Sequence, residues 1–207
     1  MEIMRKLLFI FLLHPIFLFS QDRTNEILDK VSQKTASYFN IEAHFTYAII
    51  SEAAGINESQ KGVLYLQGNL YKLELEEQTI ISDGESNWIH LIDEEEVQIT
   101  EVDEEEESMN PSKMFTIYQE GYKNKFVSET SNIYIIDLIP EESGSFIKIE
   151  LRISKNEMRI AGFTLFDKNG GSYAYDVQLF KSNQKFEEGF FQFNTSAHPH
   201  VDVIDLR

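Results

Sequence analysis

The sequence contains no cysteine, and its 207 residues include only four prolines and one tryptophan. Without thiols the chain cannot form disulfide bonds, use a cysteine nucleophile or bind a metal through thiolates. Basic residues are scarce beside acidic ones, 18 against 35, which gives a formal net charge of -17. Phosphate backbones and anionic lipid surfaces repel so acidic a chain, so we expect no nucleic-acid binding.

The sequence does contain enough apolar material for a core, because 42% of the residues are hydrophobic and 13% are aromatic. A chain of this length buries roughly 70% of its unfolded surface on folding. The composition therefore excludes intrinsic disorder over most of the length and predicts a globular chain.

The longest apolar run, Leu7 to Phe19, stands near the N-terminus and follows the basic pair Arg5 and Lys6. The run is shorter than the ~20 residues that a membrane-spanning helix needs. A basic start, a short apolar run and the small residue Ser20 are typical of a secretory signal peptide. We expect cleavage after Ser20, so that residues 1–20 are removed and residues 21–207 form one exported domain. A buried N-terminal helix is the alternative.

The pattern of apolar residues predicts one long helix followed by many strands. Over Thr24–Phe39 the apolar residues recur at the helical period, and from Ile41 the period changes to two. Short turns between successive strands predict an antiparallel meander curled into a barrel or part of one. The predicted strands are Phe45–Ile49, Val63–Leu66, Leu70–Glu76, Thr79–Ser82, Trp88–Ile92, Glu96–Val102, Lys125–Glu129, Ile133–Leu138, Phe146–Ile153, Arg159–Phe166, Ser172–Phe180 and Phe190–Phe193.

A second, shorter helix is predicted between Asn110 and Gly121. Asn110 stands at the cap position, Pro111 at the first helical position and Gly121 just past the end. An apolar stripe at helical spacing is formed by Met114, Phe115 and Tyr118.

Two polar segments resemble cation sites but are better explained as turns. Ten of the fifteen residues in Asp93–Glu107 are acidic, yet the run lacks the alternating ligands and the glycine of a calcium loop. We expect a solvated hairpin tip there. Asp167–Gly171 lies between two alternating strands and is predicted to be a hairpin turn.

No combination of residues that would support catalysis stands out. Gly170–Ala174 departs from the nucleophile-elbow motif at its last residue and precedes a strand instead of a helix. His198 and His200 have no third ligand placed by sequence, and neither a phosphate loop nor a dinucleotide fingerprint occurs. We therefore expect a binding protein, not an enzyme, with no cofactor and no metal.

Several motifs resemble the periplasmic outer-membrane lipoprotein carrier family, the LolA type. The matching segments are Gly62–Leu66, Asn69–Leu73, the S-D-G-x-x-x-W hairpin Ser82–Trp88, Val97–Thr100 and the tail Val201–Arg207. The order of elements also agrees along the chain after the predicted signal. Family members have an arginine on the second strand that ties a helical lid shut, whereas Leu66–Asn69 contains none, so closure by that contact is not expected here.

The resemblance implies a half-open, strongly curved antiparallel sheet, an incomplete barrel covered by the N-terminal helix and the short inserted helix. It also implies a periplasmic carrier that shields the acyl chains of lipoproteins in a hydrophobic cavity. The expected partners are acylated lipoproteins as cargo, an inner-membrane lipoprotein-releasing transporter as donor and an outer-membrane acceptor. We expect a monomer.

Strand parity suggests which side chains line the cavity. We expect Phe45, Tyr47 and Ile49 on one inward row and Tyr71, Leu73 and Leu75 on another. Trp88 is expected near them, with Met114, Phe115 and Tyr118 covering the cavity from the lid. Ordinary core packing is the alternative explanation for each residue.

Two other functions remain open. The first is a sensor or binding module of the same fold that reads lipid or lipoprotein status in the envelope. The second is an envelope hydrolase or metal-dependent enzyme, which would need a carboxylate–histidine cluster around His90 or His198.

Overall fold

The computed structural model describes residues 17–102 and 111–207. It contains one α-helix, two single-turn 3-10 helices and twelve strands within those residues. The α-helix and the strands are α1 (Phe17–Ala36), β1 (Ile41–Ser51), β2 (Ile56–Gln67), β3 (Leu70–Glu74), β4 (Gln78–Ser82), β5 (Ser86–Leu91), β6 (Glu96–Glu101), β7 (Tyr122–Glu129), β8 (Ile133–Pro140), β9 (Phe146–Ser154), β10 (Arg159–Asp167), β11 (Ser172–Ser182) and β12 (Asp202–Asp205).

Helix α1 is present but is displaced toward the N-terminus relative to the prediction. It begins at Phe17 and ends at Ala36, where the Ser37 amide donates to the carbonyls of Gln33 and Lys34. The predicted end at Phe39 is wrong, because the chain has already turned toward β1 and the Phe39 side chain is 69% exposed. Most of the predicted signal segment lies outside the described residues, and its cleavage stays a prediction.

The strands form one sheet in the order β12-β6-β5-β4-β3-β2-β1-β11-β10-β9-β8-β7. Two antiparallel meanders, β1–β6 and β7–β11, are joined where β1 pairs with β11. The sheet is curved and open, with β7 and β12 at its two edges, which confirms the predicted half-open sheet. Strand β12 departs from the antiparallel pattern, since it pairs with β6 in parallel.

The main core lies on the inner face of the curved sheet. Helix α1 buries Ile27, Leu28 and Val31 against it, following the 3.6-residue stripe of the sequence. The helix also contacts β7 and β10, which belong to the second meander. The helix therefore covers part of the inner face and joins the same core as both meanders.

The second helix is reduced to a single 3-10 turn at Pro111–Lys113, followed by further turns. The i→i+3 bonds from Met114 to Pro111 and from Thr116 to Lys113 hold these turns together. The predicted cap Asn110 lies outside the described residues. Residues 111–120, hereafter the lid segment, nevertheless bury the three predicted side chains Met114, Phe115 and Tyr118.

The predicted strand Phe190–Phe193 is wrong. Residues 183–201 form no ladder but cross the outer face of β2–β6 as an irregular segment, hereafter the strap, that leads to β12. Gly189 within it has a φ of +78°, a left-handed conformation that interrupts an extended chain. The aromatic alternation of this segment serves packing against the outer face instead of strand pairing.

One predicted polar turn is confirmed, and the predicted hairpin tip in the acidic run is confirmed only at its start, because Glu96–Glu101 form a strand. The Asp167 carboxylate accepts from the amides of Asn169 and Gly171 in the β10–β11 turn. The acidic run begins in the β5–β6 turn and continues through β6, and its part from Asp103 to Glu107 lies outside the described residues. Over the described ranges, no helix is long and apolar enough to span a membrane.

Candidate functional site

The candidate site is the inner face of the sheet toward the β1–β2 hairpin. Strand register places Phe45, Tyr47 and Ile49 on this face, opposite Val177, Tyr175 and Tyr173 of β11. The second predicted row shares the face, because Leu73 pairs with Leu64 and Tyr71 with Leu66. The Leu75 side chain lies over Gly62, beside the Phe45 ring. Both predicted rows therefore lie on the same face of the sheet, as strand parity predicted.

Burial along this face is graded. On β1, Ile41, Ala43 and Phe45 are buried, whereas Tyr47 and Ile49 farther along are only half-buried. The same change occurs on β3, where Tyr71 is buried but Leu73 is half-buried. The part of the inner face that lies away from the β1–β2 hairpin is thus ordinary core. The part near the hairpin presents apolar side chains that the described residues do not fully cover.

Aromatic rings form the centre of this half-buried surface. Tyr175 stacks on Tyr47 with ring centroids 4.7 Å apart and on Phe163 at 4.8 Å. Phe45 contacts the same ring at 6.1 Å. Such clusters combine a large apolar area with hydroxyl tips.

The inner-face tyrosines are held in their neutral form. Burial raises the pKa of Tyr47 and Tyr118. It raises the pKa of Tyr175 further, and the neighbouring Tyr47 adds to that effect. The inner face therefore offers polarisable rings and uncharged hydroxyls, which suit an apolar ligand better than an ionic one.

The lid segment and α1 meet above this face. Phe115 contacts Phe180 of β11 edge-on with centroids 5.6 Å apart. The Gln119 side-chain amide donates to the Ser32 hydroxyl at 3.0 Å. Met114, Phe115 and Tyr118 belong to the same buried cluster as Phe45 and Tyr71. The structure thus brings nine of the ten predicted site residues to the inner face.

Trp88 is the exception. It pairs with Ile81 and Ile99, and Ile81 pairs in turn with Lys72, whereas the inward Tyr71 pairs with Ser82. Because paired residues point to the same side and neighbours alternate, Trp88 lies on the outer face, opposite the predicted cavity. The placement of Trp88 near the inner rows is therefore wrong.

Sequence reasoning did not identify a second aromatic cluster, on the outer face beneath the strap. Tyr65 of β2 contacts Phe186 and Phe190 of the strap at 5.8 and 5.0 Å. The rings of His90 on β5 and His198 on the strap lie 5.0 Å apart. The density of phenylalanine between positions 186 and 193 was the available signal, but it was interpreted as a strand.

The histidine pair does not complete a metal centre in the part of the chain that the structure describes. No group of three or more histidine, aspartate or glutamate side chains there could hold a metal ion. The carboxylates that line the same cleft, Glu187 and Glu188, are exposed.

These features define a class of protein in which a half-open curved sheet is covered on its concave face by a helix and a lid. The family described as "Outer membrane lipoprotein carrier protein LolA" matches residues 37–194. The chain belongs to this family. Sequence comparison with proteins of curated function finds no match.

Several solved structures are similar to this chain at low sequence identity. An uncharacterized conserved protein from Thermus thermophilus is 14% identical and superposes with a TM-score of 0.59 over 88% of this chain and 99% of its own. A LolA superfamily protein from Nitrosomonas europaea is 11% identical, with a TM-score of 0.48 over 82% of this chain and 97% of its own. The Mycobacterium tuberculosis lipoprotein LppX is 8% identical, with a TM-score of 0.49 over 81% and 100%.

Proposed function

We propose that the protein is a periplasmic carrier that shields the acyl chains of lipoproteins on the inner face of its sheet while they pass from the inner to the outer membrane. Family membership supports the proposal. The observation that carries it is the graded burial of the inner face, where Tyr47, Leu73 and Leu75 are half-buried against an otherwise buried apolar cluster and Ile49 on the same face is also half-buried. The protein is not proposed to catalyse a reaction.

A carrier must hold its cargo loosely enough to release it. Each buried methylene contributes about 0.8 kcal/mol, so two or three fully dried chains of ~16 carbons would be held by tens of kcal/mol. Partial burial against rings such as Tyr47 and Tyr175 avoids this.

The charge of the chain fits a shuttle between membranes. A formal charge of -17 disfavours adsorption to anionic lipid surfaces and favours docking on basic patches. We propose such patches on a lipoprotein-releasing transporter in the inner membrane, the donor, and on an outer-membrane acceptor.

Removal of residues 1–20 would release the carrier into the periplasm. Mass measurement of the exported protein tests this by locating its first residue at Gln21.

Acyl binding is tested with a tryptophan moved to the inner face. In a Tyr47→Trp, Trp88→Phe variant, a triacylated lipopeptide is expected to change the emission of the new tryptophan saturably, and the deacylated peptide is not. The wild-type chain is the matched control, because its only tryptophan lies on the outer face. Equal responses to both peptides, or no response in a folded variant, would refute an inner-face acyl site.

Carrier and sensor functions are separated in cells. Depletion of a carrier leaves outer-membrane lipoproteins in the inner membrane, which fractionation detects. Loss of a sensor alters only a stress response, and that result would transfer the proposal to the sensor module.

A further inference from the structure

The outer face carries a second apolar cluster that is separate from the inner-face core. Ile81, Val97, Ile99 and Phe191 are all less than one-tenth exposed, yet none of them belongs to the inner-face cluster. The first three lie on the outer side of β4 and β6, and Phe191 belongs to the strap. The strap therefore covers an apolar surface that would otherwise face water.

The strap is fixed at both ends by hydrogen bonds. At its start the Asn40 side chain donates to the Gln184 carbonyl at 2.7 Å and accepts from the Gln184 amide at 2.8 Å. At its end the Asp202 amide donates to the Glu95 carbonyl at 2.8 Å, where β12 begins. Between these points the strap is joined to the sheet by ring contacts. Such contacts are weaker and less directional than the backbone hydrogen bonds between paired strands.

The two histidines stand at the last of these ring contacts before β12. His90 of β5 contacts both His198 and Phe193 of the strap, with centroid distances of 5.0 and 5.1 Å. Phe193 stacks on His198 at 5.0 Å. Contact between the strap and β5 thus depends on two imidazole rings that pack against a phenylalanine.

The charged groups that the structure describes around this contact give a protonated imidazole no paired carboxylate. The cleft beside it, of about 560 Å³, is lined by Lys72 of β3 and by Glu187 and Glu188 of the strap. Lys72 is paired with Glu74 at 2.8 Å. No ion pair of the described residues joins a carboxylate to His90 or His198. Burial, and then the charge of His198, lower the pKa of His90.

We propose that the contact between His90 and His198 makes the strap a pH-sensitive clasp, which is docked on the outer face while His90 is neutral and loosens when His90 is protonated beside His198. Docking weakens as the pH falls because the docked state lowers the pKa of His90 and so disfavours its protonated form. Above the ordinary histidine pKa of about 6.5 docking is at full strength, and as the pH falls below that value His90 binds the proton more readily once the strap has undocked. Each unit of pKa difference reduces the docking equilibrium about tenfold.

Hydrogen exchange of peptides from residues 183–201 tests the clasp, with wild type and His90→Phe compared at equal pH so that intrinsic rates cancel. Phenylalanine keeps the ring packing but cannot take a proton. Between pH 7.5 and 5 we expect strap exchange in wild type to increase severalfold relative to the variant. Peptides from β9 and β10 are expected to show no such change. His200→Gln, an exposed histidine beside His198, is the matched control and should behave as wild type.

Two results would overturn the clasp. One is a constant ratio of strap exchange between wild type and His90→Phe across this pH range. The other is an acid response in the peptides from β9 and β10 as large as that of the strap, which would mean that the whole sheet loosens and not the strap alone. If His90→Phe already loses strap protection at pH 7.5, His90→Tyr, which also keeps a ring and stays neutral over this pH range, replaces it, and the same two results decide. The measurement needs no lipopeptide, so its failure leaves the proposed acyl carriage untouched.

Discussion

The Gln119 side-chain amide donates to the Ser32 hydroxyl across 3.0 Å, and this bond ties the lid segment to helix α1. Both side chains belong to elements that cover the inner face. The bond is exposed and joins two neutral groups, and such bonds contribute about 1 kcal/mol net. It is therefore suited to holding a lid that must also open.

Removal of this bond is expected to loosen the lid without unfolding the sheet. In Gln119→Ala, hydrogen exchange of residues 111–120 should accelerate about fivefold, while the melting temperature changes little, because the bond contributes only about 1 kcal/mol. Ser32→Ala should have the same effect, and the double variant should add nothing further. Additive effects of the two substitutions would show that the side chains act independently.

Two paired leucines distinguish the core from the candidate site. Leu64 is fully buried and its partner Leu73 is half-buried, although both face inward. Leu64→Glu is expected to unfold the protein or to cost several kcal/mol, about 3 or more, because a carboxylate would be buried without a partner. Leu73→Glu is expected to fold and to weaken binding of an acylated peptide at least tenfold.

Urea unfolding and lipopeptide titration measure the two effects. If Leu73→Glu is as unstable as Leu64→Glu, Leu73 is core. If Leu73→Glu is stable and binds as wild type does, the half-buried row is not the acyl surface.

The sequence was sufficient for most of the sheet and for the placement of nine of the ten predicted site residues on one face, because both depend on local signals. Alternation sets which side chains share a face, and it placed Tyr47 with Ile49 and Tyr71 with Leu73 correctly. The lid residues Met114, Phe115 and Tyr118 were found from their spacing, although they lie in turns and not in a helix. Their burial depends on apolar character more than on helical geometry.

The errors concern long-range arrangement. Parity shows that neighbours alternate but not which face is concave, so Trp88 was placed on the wrong side. The strap residues Phe190–Phe193 alternate like a strand, yet the edge of β6 is occupied by β12, which comes later in the chain. The contact between His90 and His198 likewise depends on the path of the strap across five strands. No local sequence pattern predicts that path.

Gly62 marks a close approach on the inner face. A Cβ atom there would lie 2.5 Å from Phe45 Cζ and 2.8 Å from Leu75 Cδ2. Gly62→Ala is therefore expected to displace the Phe45 ring and to cost about 1–3 kcal/mol by overpacking. Chemical denaturation measures the cost. Gly144→Ala is the matched control, since nothing lies within 4 Å of its Cβ position, and it should be neutral or slightly stabilising. Equal effects at both positions would contradict the close approach.

The pH dependence of stability is expected to include a contribution from Glu42. Its carboxylate accepts from Lys181 Nζ and His44 Nε2, each at 2.7 Å, and the hydrogen bond from Lys181 and then that from His44 lower its pKa. Because the pKa is lower in the folded state, the stabilisation is complete above the ordinary glutamate pKa of about 4.3 and is lost as the pH falls through the folded value.

At pH 7, Glu42→Gln should reduce the free energy of unfolding by about 1 kcal/mol, as expected for a partly exposed pair. The difference should disappear near pH 2, where both side chains are neutral. Urea unfolding at both pH values measures it, with Glu52→Gln in the exposed β1–β2 turn as control. A difference that stays constant with pH would mean that the packing of the side chain, and not its charge, stabilises the junction between β1 and β11.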